Sequence, residues 1–227
     1  ARWLDEIFSA ASDVFSSEGA AIVGGHSSLG AEFALGFTIT GLEAPGTRAE
    51  RSPAAGDALI LTRPLGSGTL FAALMAGQAS GDDIQAMLAT LTLSQGPAAK
   101  AVHARAAAMT DVTGFGLAGH ADRMLRDTKL AADFELSALR LFPGAEALAA
   151  DGLRSTLWQG NRDSVAFNGP ETPRTALLFD PQTAGGFLAV VPPEHVDALL
   201  GELQDMGHDA ARIGTLVERG DHTVVAH

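Results

Sequence analysis

The apolar positions at the start of the chain fall at helical spacing. Trp3, Leu4, Ile7, Phe8, Ala11, Val14 and Phe15 form one stripe, which predicts a helix over 3–18 that Gly19 ends. Ala20–Val23 is a short apolar run leading into Gly24-Gly25 and predicts a strand. Phe33, Leu35, Phe37 and Ile39 alternate with smaller residues, which predicts a half-buried strand. One helix and two strands cannot close a core, so this opening is expected to be a remnant of a layer completed by an upstream segment or a partner subunit. The polar, Pro-, Gly- and Arg-rich stretch 43–56 then marks a boundary, with 1–48 as the remnant and 49–227 as the main domain.

Beyond it, the apolar pattern predicts strand 58–62, a Gly-rich turn, and helices near 68–78, 82–94 and 96–107. A strand end or loop follows at 109–113, then a helix over 115–126, strand 130–136, a short helix near 143–151 and an irregular stretch at 152–170. Strands 175–179 and 187–191, a helix over 193–206 and short strands near 211–217 and 222–226 complete the chain. Helices and strands interleave without strict βαβ regularity, which predicts an α+β fold with a sheet covered by helices.

Composition narrows the function classes. Of 227 residues 46% are hydrophobic, enough for a core, yet Gly, Asp, Arg or Pro interrupts each apolar run too soon for a membrane span. There is no signal-peptide pattern at the start. Fifteen basic against 27 acidic residues give a net charge of −12, a balance that disfavours nucleic acid and anionic lipid as partners. A polyanionic small ligand would need a divalent cation, backbone N–H groups or a few placed arginines. The chain has no Cys, so it has no disulfide, thiolate metal site or cysteine nucleophile, and a cytoplasmic location is compatible. The seven histidines form no i, i+4 pair, and neither a Walker A nor a G-x-S-x-G motif is present.

Five segments carry candidate chemistry. In Met109-Thr-Asp-Val-Thr-Gly-Phe-Gly-Leu-Ala-Gly-His120 an acidic residue precedes a Gly-rich turn and a helix start. Glycines let the backbone approach a phosphate, first-turn N–H groups point at it, and a nearby carboxylate suits Mg²⁺ bridging phosphate oxygens. Asp111 is thus a candidate metal ligand; as a helix N-cap it would serve structure only, and the local pattern leaves both readings open. Gly24, Gly25, His26 and Ser27 offer close backbone approach and donors for ribose or phosphate, or else a plain turn. In Arg63-Pro-Leu-Gly-Ser-Gly-Thr69 the arginine could contact a phosphate bidentately, but the segment reads first as a structural turn with Arg63 as a surface charge. Asp180-Pro-Gln-Thr-Ala-Gly-Gly186 reads first as a sharp turn joining two strands, with Gln182 and Thr183 lining a site as the alternative. Asn161-Arg162-Asp163 reads as a polar surface cluster that matters only if it faces the Asp111 loop.

In order and spacing, GGHS (24–27), GDALILTRPLGSG, MTDVTGFGLAGH (109–120), DPQTAGG (180–186) and Arg212-Ile213-Gly214 resemble selenophosphate synthetases (selenide, water dikinases), members of the aminoimidazole ribonucleotide synthetase-like superfamily. The resemblance implies that family's C-terminal domain, a mixed sheet covered by helices, preceded by a remnant of the N-terminal α/β domain. It implies an ATP- and Mg²⁺-dependent reaction that makes selenophosphate from selenide, releasing AMP and phosphate. It implies a homodimer formed through the N-terminal domain, with Asp111 matching a Mg²⁺ ligand and Gly24, Gly25, His26 and Ser27 a nucleotide-binding loop.

The family's reactive Cys or selenocysteine, a nearby Lys and further acidic metal ligands lie before GGHS. No catalytic nucleophile is therefore expected in this chain, which would be inactive alone as part of a longer or fused protein. Where the family reads G-T-x-R-N, this chain has Gly160-Asn161-Arg162-Asp163, so an anion contact there is in doubt. Another superfamily enzyme, acting on a ribonucleotide, thiamine phosphate or hydrogenase-maturation substrate, and a non-catalytic nucleotide-binding or dimerisation module remain the alternatives.

Overall fold

The computed structural model describes residues 2–42 and 51–227. Its contacts divide into two compact units, Ala1–Thr47 and Arg48–His227. The break expected at 48/49 and most of the polar stretch 43–56 lie outside the described residues.

In the first unit, helix α1 (Arg2–Ser17) follows from the apolar stripe. It ends in a left-handed Gly19 with φ of 75°, where the Ala20 N–H donates to Phe15 O at 2.8 Å and the Gly19 N–H to Ser16 O at 3.1 Å. These two bonds satisfy carbonyls that the last turn leaves open. The strands expected at 20–23 and 33–39 do not form; 20–42 carries neither helix nor strand. Alternation marks a face, but a strand exists only as part of a ladder, and none is offered among the described residues. Val23 is 97% exposed and Ile39 77%, while Phe15 and Phe37 meet edge to face with centroids 5.4 Å apart.

The second unit is built on seven strands: β1 (Ala58–Leu61), β2 (Ala108–Asp111), β3 (Leu130–Phe134), β4 (Phe167–Asn168), β5 (Phe187–Val191), β6 (Ala211–Glu218) and β7 (Val224–Ala226). They lie in the order β2-β5-β1-β6-β3-β7-β4. The pairs from β2 to β3 are antiparallel, and β3–β7 and β7–β4 are parallel. The mixed sheet with helices bears out the expected α+β class.

The period-2 alternation of the central strands sorts side chains to two faces. Leu59, Leu61, Leu188 and Val190 pack with Leu117, Ala121 and Leu125 of helix α5 (Gly116–Leu125). Ala58, Ile60, Ala189 and Val191 pack on the other face with helices α4 (Gly96–His103) and α9 (Val196–Asp205). A satellite core joins α2 (Ser67–Met75), α3 (Gly81–Leu91), α6 (Ala145–Ala150) and α8 (Pro173–Leu178) through Leu70, Met87, Ala145 and Leu177.

Two expectations fail here. Residues 175–179 are not a strand, since 173–178 form α8. Thr172 caps it, its Oγ1 accepting the Thr175 N–H at 3.1 Å, and Pro173 supplies a preset first position. A short apolar run has no period of its own, and the cap decides. The stretch 152–170, expected to be irregular, holds the short helix α7 (Trp158–Asp163) and β4.

Candidate functional site

Asp111 ends β2, the edge strand, opposite Phe187 of β5. The next residue turns inward: Val112 is fully buried, and its N–H donates to Gly186 O at 2.9 Å. The Thr113 N–H donates to His120 Nε2 at 3.0 Å, and Thr113 O accepts the N–H of Gln182 at 2.9 Å and of Gly116 at 3.0 Å. Gly114 O accepts Asn161 Nδ2 at 2.9 Å, and the same amide reaches Phe179 O at 3.0 Å. His120 and Asn161 are 9% and 7% exposed. Buried side chains therefore hold the loop at successive peptides, and its outer surface is left free.

That surface is small and chemically specific. Asp111 is exposed and makes no ion pair among the described residues. The N–H groups of Gly114 and Phe115 make no hydrogen bond among the described residues. The reading of Asp111 as an N-cap is overturned, because Phe115 occupies the cap position of α5 with no side-chain bond to it. Arg123 reaches back along α5 and lays its guanidinium 3.5 Å from the Phe115 ring centroid, a cation–π contact at the loop's outer edge. Because His120 Nε2 accepts, its ring is neutral with the proton on Nδ1. Burial holds this imidazole below its ordinary pKa; the Asp111 charge pulls it up and Arg123 pulls it down.

The second Gly-rich helix start, at α2, is filled from within the protein. Asp180, fully buried, accepts the Gly68 N–H at 3.1 Å and the Thr69 hydroxyl at 2.9 Å. Gln182 Oε1 accepts from Gly66 N, Ser67 N and Ser67 Oγ at 3.1–3.3 Å. The DPQTAGG turn is thus the anchor of the RPLGSG turn, and it joins α8 to β5 rather than two strands. Arg63 is not a surface charge: it is 1% exposed, with Nη1 donating to Ala184 O at 2.8 Å. Of the two starts, only the one after Asp111 has donors to spare.

The cluster at 161–163 does face the Asp111 loop, through Asn161 alone. Arg162 lies 5.1 Å from the ring centroids of Phe167 and Phe179, and Asp163 accepts Gln159 Nε2 at 2.9 Å on the surface. Gly24, Gly25, His26 and Ser27 are exposed, and a Cβ at either glycine would meet nothing within 4 Å. They belong to the first unit and follow no strand.

Among the described residues no group of three or more His, Cys, Asp or Glu comes together to hold a metal. A lone exposed carboxylate beside free N–H groups fits Mg²⁺, which keeps several waters and shares itself between one or two carboxylates and phosphate oxygens. It does not fit a closed Zn²⁺ or Ca²⁺ cage.

Sequence and structure comparisons give the family and the fold. The family model described as AIR synthase related protein, C-terminal domain, matches residues 54–227. The selenide, water dikinase of Geobacter metallireducens is 36% identical over 98% of this chain and 66% of its own length. Those of Burkholderia pseudomallei and Desulfitobacterium hafniense are 38% and 33% identical, over 90% and 98% of this chain and 60% and 67% of their own lengths. The chain thus spans roughly two thirds or less of the curated relatives named first. Among solved structures, the hydrogenase maturation protein HypE superposes with a TM-score of 0.58 at 16% identity, over 82% of this chain and 53% of that one. The thiamine-monophosphate kinase of Stenotrophomonas maltophilia does so at 0.53 and 16%, over 80% and 53%. At such identities these two likenesses concern the fold alone.

Proposed function

We propose that this chain, which belongs to the AIR synthase related protein family by its C-terminal domain, forms part of an ATP- and Mg²⁺-dependent enzyme that makes selenophosphate from selenide, releasing AMP and phosphate. The reaction class comes from the relatives named selenide, water dikinase. The structural observation that carries it is an exposed Asp111 at the end of β2, without an ion pair among the described residues, followed by a loop pinned by His120 and Asn161 with two N–H groups open.

In this reading Asp111 is one ligand of a magnesium ion that neutralises polyphosphate charge, and the Gly114 and Phe115 N–H groups take a phosphate oxygen. Phosphoryl transfer depends mostly on positioning and charge neutralisation. A prefixed loop serves this well, because its donors need not reorganise when charge develops. In the same reading Gly24, Gly25, His26 and Ser27 are a nucleotide-binding loop of the first unit, and the longer protein acts as a homodimer. The pinning residues do not touch ligand; they hold the peptides that do.

Calorimetric titration of Mg·ATP into the protein, compared with Asp111→Asn, tests the reading. Loss of one charged metal ligand is expected to weaken Mg-dependent binding about tenfold to a hundredfold. Equal binding by the variant in Mg²⁺ would remove the reading's physical basis.

A further inference from the structure

Arg63 is buried with no ion-pair partner among the described residues. Its guanidinium donates to two neutral carbonyls, Ala184 O and Leu93 O, and its Nε, also out of solvent, has no partner among the described residues. For stability alone this arrangement is poor, because an ion taken from water without a counter-ion keeps its desolvation penalty. Its field also reaches a neighbour: the buried His208 is held below the ordinary imidazole range, first by burial and then by the Arg63 charge.

Strand order fixes what this cation faces. Arg63 follows β1 and Asp111 ends β2. Both strands run antiparallel to β5, which lies between them, and the 183–186 turn feeds β5 from that end. A Cβ at Gly186 would fall 2.6 Å from Arg63 N, and one at Gly185 would collide with Val112 O. The 185–186 peptides therefore lie between the Arg63 backbone and Val112, and the Arg63 guanidinium meets the same turn at the Ala184 carbonyl. At the outside of the turn, Thr183 and Ala184 are exposed. Ala184, whose carbonyl Arg63 holds, is a non-glycine residue at φ of 44°, a conformation that persists where its surroundings impose it. The Thr183 N–H donates to Ser67 Oγ at 2.9 Å, and its hydroxyl makes no bond among the described residues.

We infer that the Thr183–Gly186 turn, charged from beneath by Arg63, is an oxyanion subsite for a phosphate-type group, with the Thr183 hydroxyl as the direct donor. Arg63 is a positioning residue here: it holds the Ala184 carbonyl and supplies fixed positive charge through a thin low-dielectric layer, where screening by salt is weak. The inference deepens the reading given above, since Asp111 and its metal would take the other side of the same ligand. It stands by itself in one respect, because the Arg63 contribution needs no metal.

The test is binding of inorganic phosphate to the protein, followed by ³¹P NMR, in EDTA and then in Mg²⁺. In EDTA, Arg63→Met is expected to weaken binding about tenfold and Thr183→Val about threefold to tenfold, with Arg63→Lys within about threefold of the parent. The lysine rescue separates charge from packing, and the exposed Thr183 variant carries the test if Arg63→Met fails to fold. No phosphate binding in EDTA, or equal binding by the parent and the Thr183 and Arg63 variants, would overturn the inference. The added affinity in Mg²⁺ and its response to Asp111→Asn report on the Asp111 reading separately.

Discussion

His120 Nε2 accepts the backbone N–H of Thr113 at 3.0 Å, so the first two turns of α5 reach back and close the loop that leads into them. The bond exists only while the ring is neutral, and burial favours that form. The folded pKa lies below the unfolded value of about 6.5. Below that value the unfolded chain takes up a proton that the folded chain refuses. This contribution is complete above pH 6.5 and is lost as pH falls. His120→Gln, which keeps an acceptor without the titration, is expected to flatten that acid-side loss; urea midpoints from pH 7 to 5 measure it. His120→Ala should cost about 1–3 kcal/mol at pH 7, the penalty for a buried N–H left without an acceptor.

Asp180 titrates with the opposite sign. Burial pushes its carboxyl up to about 6, against hydrogen bonds from Thr69, Gln182 and Gly68 that favour the anion. The unfolded value is about 3.9, so between these limits the folded state binds more protons. Stability from this group is present at low pH and falls as pH rises from about 4 to 6, by on the order of 3 kcal/mol at most. The difference in stability between the parent and Asp180→Asn is expected to shrink over that window. A difference that stays flat or grows would show that the hydrogen bonds outweigh the burial.

The contrast between these two residues shows what the sequence disclosed and what it hid. Most helices and strands of the second unit were legible because Gly, Pro and polar turns bound each apolar run. The Asp111 loop was legible because an acid, glycines and a helix start follow one another within a few residues. The clamps were not legible: Asn161 meets Gly114 across 47 positions and Arg63 meets Ala184 across 121, and no local pattern records such a pairing. The burial of Arg63 was hidden for the same reason, since a lone Arg in a polar turn ordinarily stays in water. The strands expected at 20–23 and 33–39 failed differently. There the pattern was clear, but pairing needs a neighbour and cannot be read from one segment.

Asn161 gives a sharper test of the clamp than of the fold. Its amide holds Gly114 O and Phe179 O together, and Asn161→Ala leaves both carbonyls without that donor. The expected cost is about 1–3 kcal/mol. Hydrogen exchange at the Thr113 and Gly116 amides should accelerate more than at the β1 amides, since the change frees one loop. Uniform acceleration across the sheet would mean that Asn161 supports the whole unit and not the loop in particular.

Two glycine-to-alanine substitutions are expected to shift stability in opposite directions. A Cβ at Gly185 would collide with Val112 O and stand 2.9 Å from Gln182 Cβ. The first of these is backbone, so β2 must move away from β5, and the Val112 N–H to Gly186 O bond moves with it. Gly185→Ala should therefore cost about 2–4 kcal/mol and weaken Mg·ATP binding, because the displaced strand carries Asp111. Gly201 lies inside α9, and a methyl group there would meet nothing within 4 Å, so alanine removes backbone freedom from the unfolded chain without a clash. Gly201→Ala should raise stability by about 0.5–1 kcal/mol and leave binding unchanged. Thermal unfolding of both variants beside the parent decides the matter: a Gly185→Ala protein as stable as the parent would show that β2 is free to shift, and a loop on a shifting strand could not hold its ligand groups in fixed register.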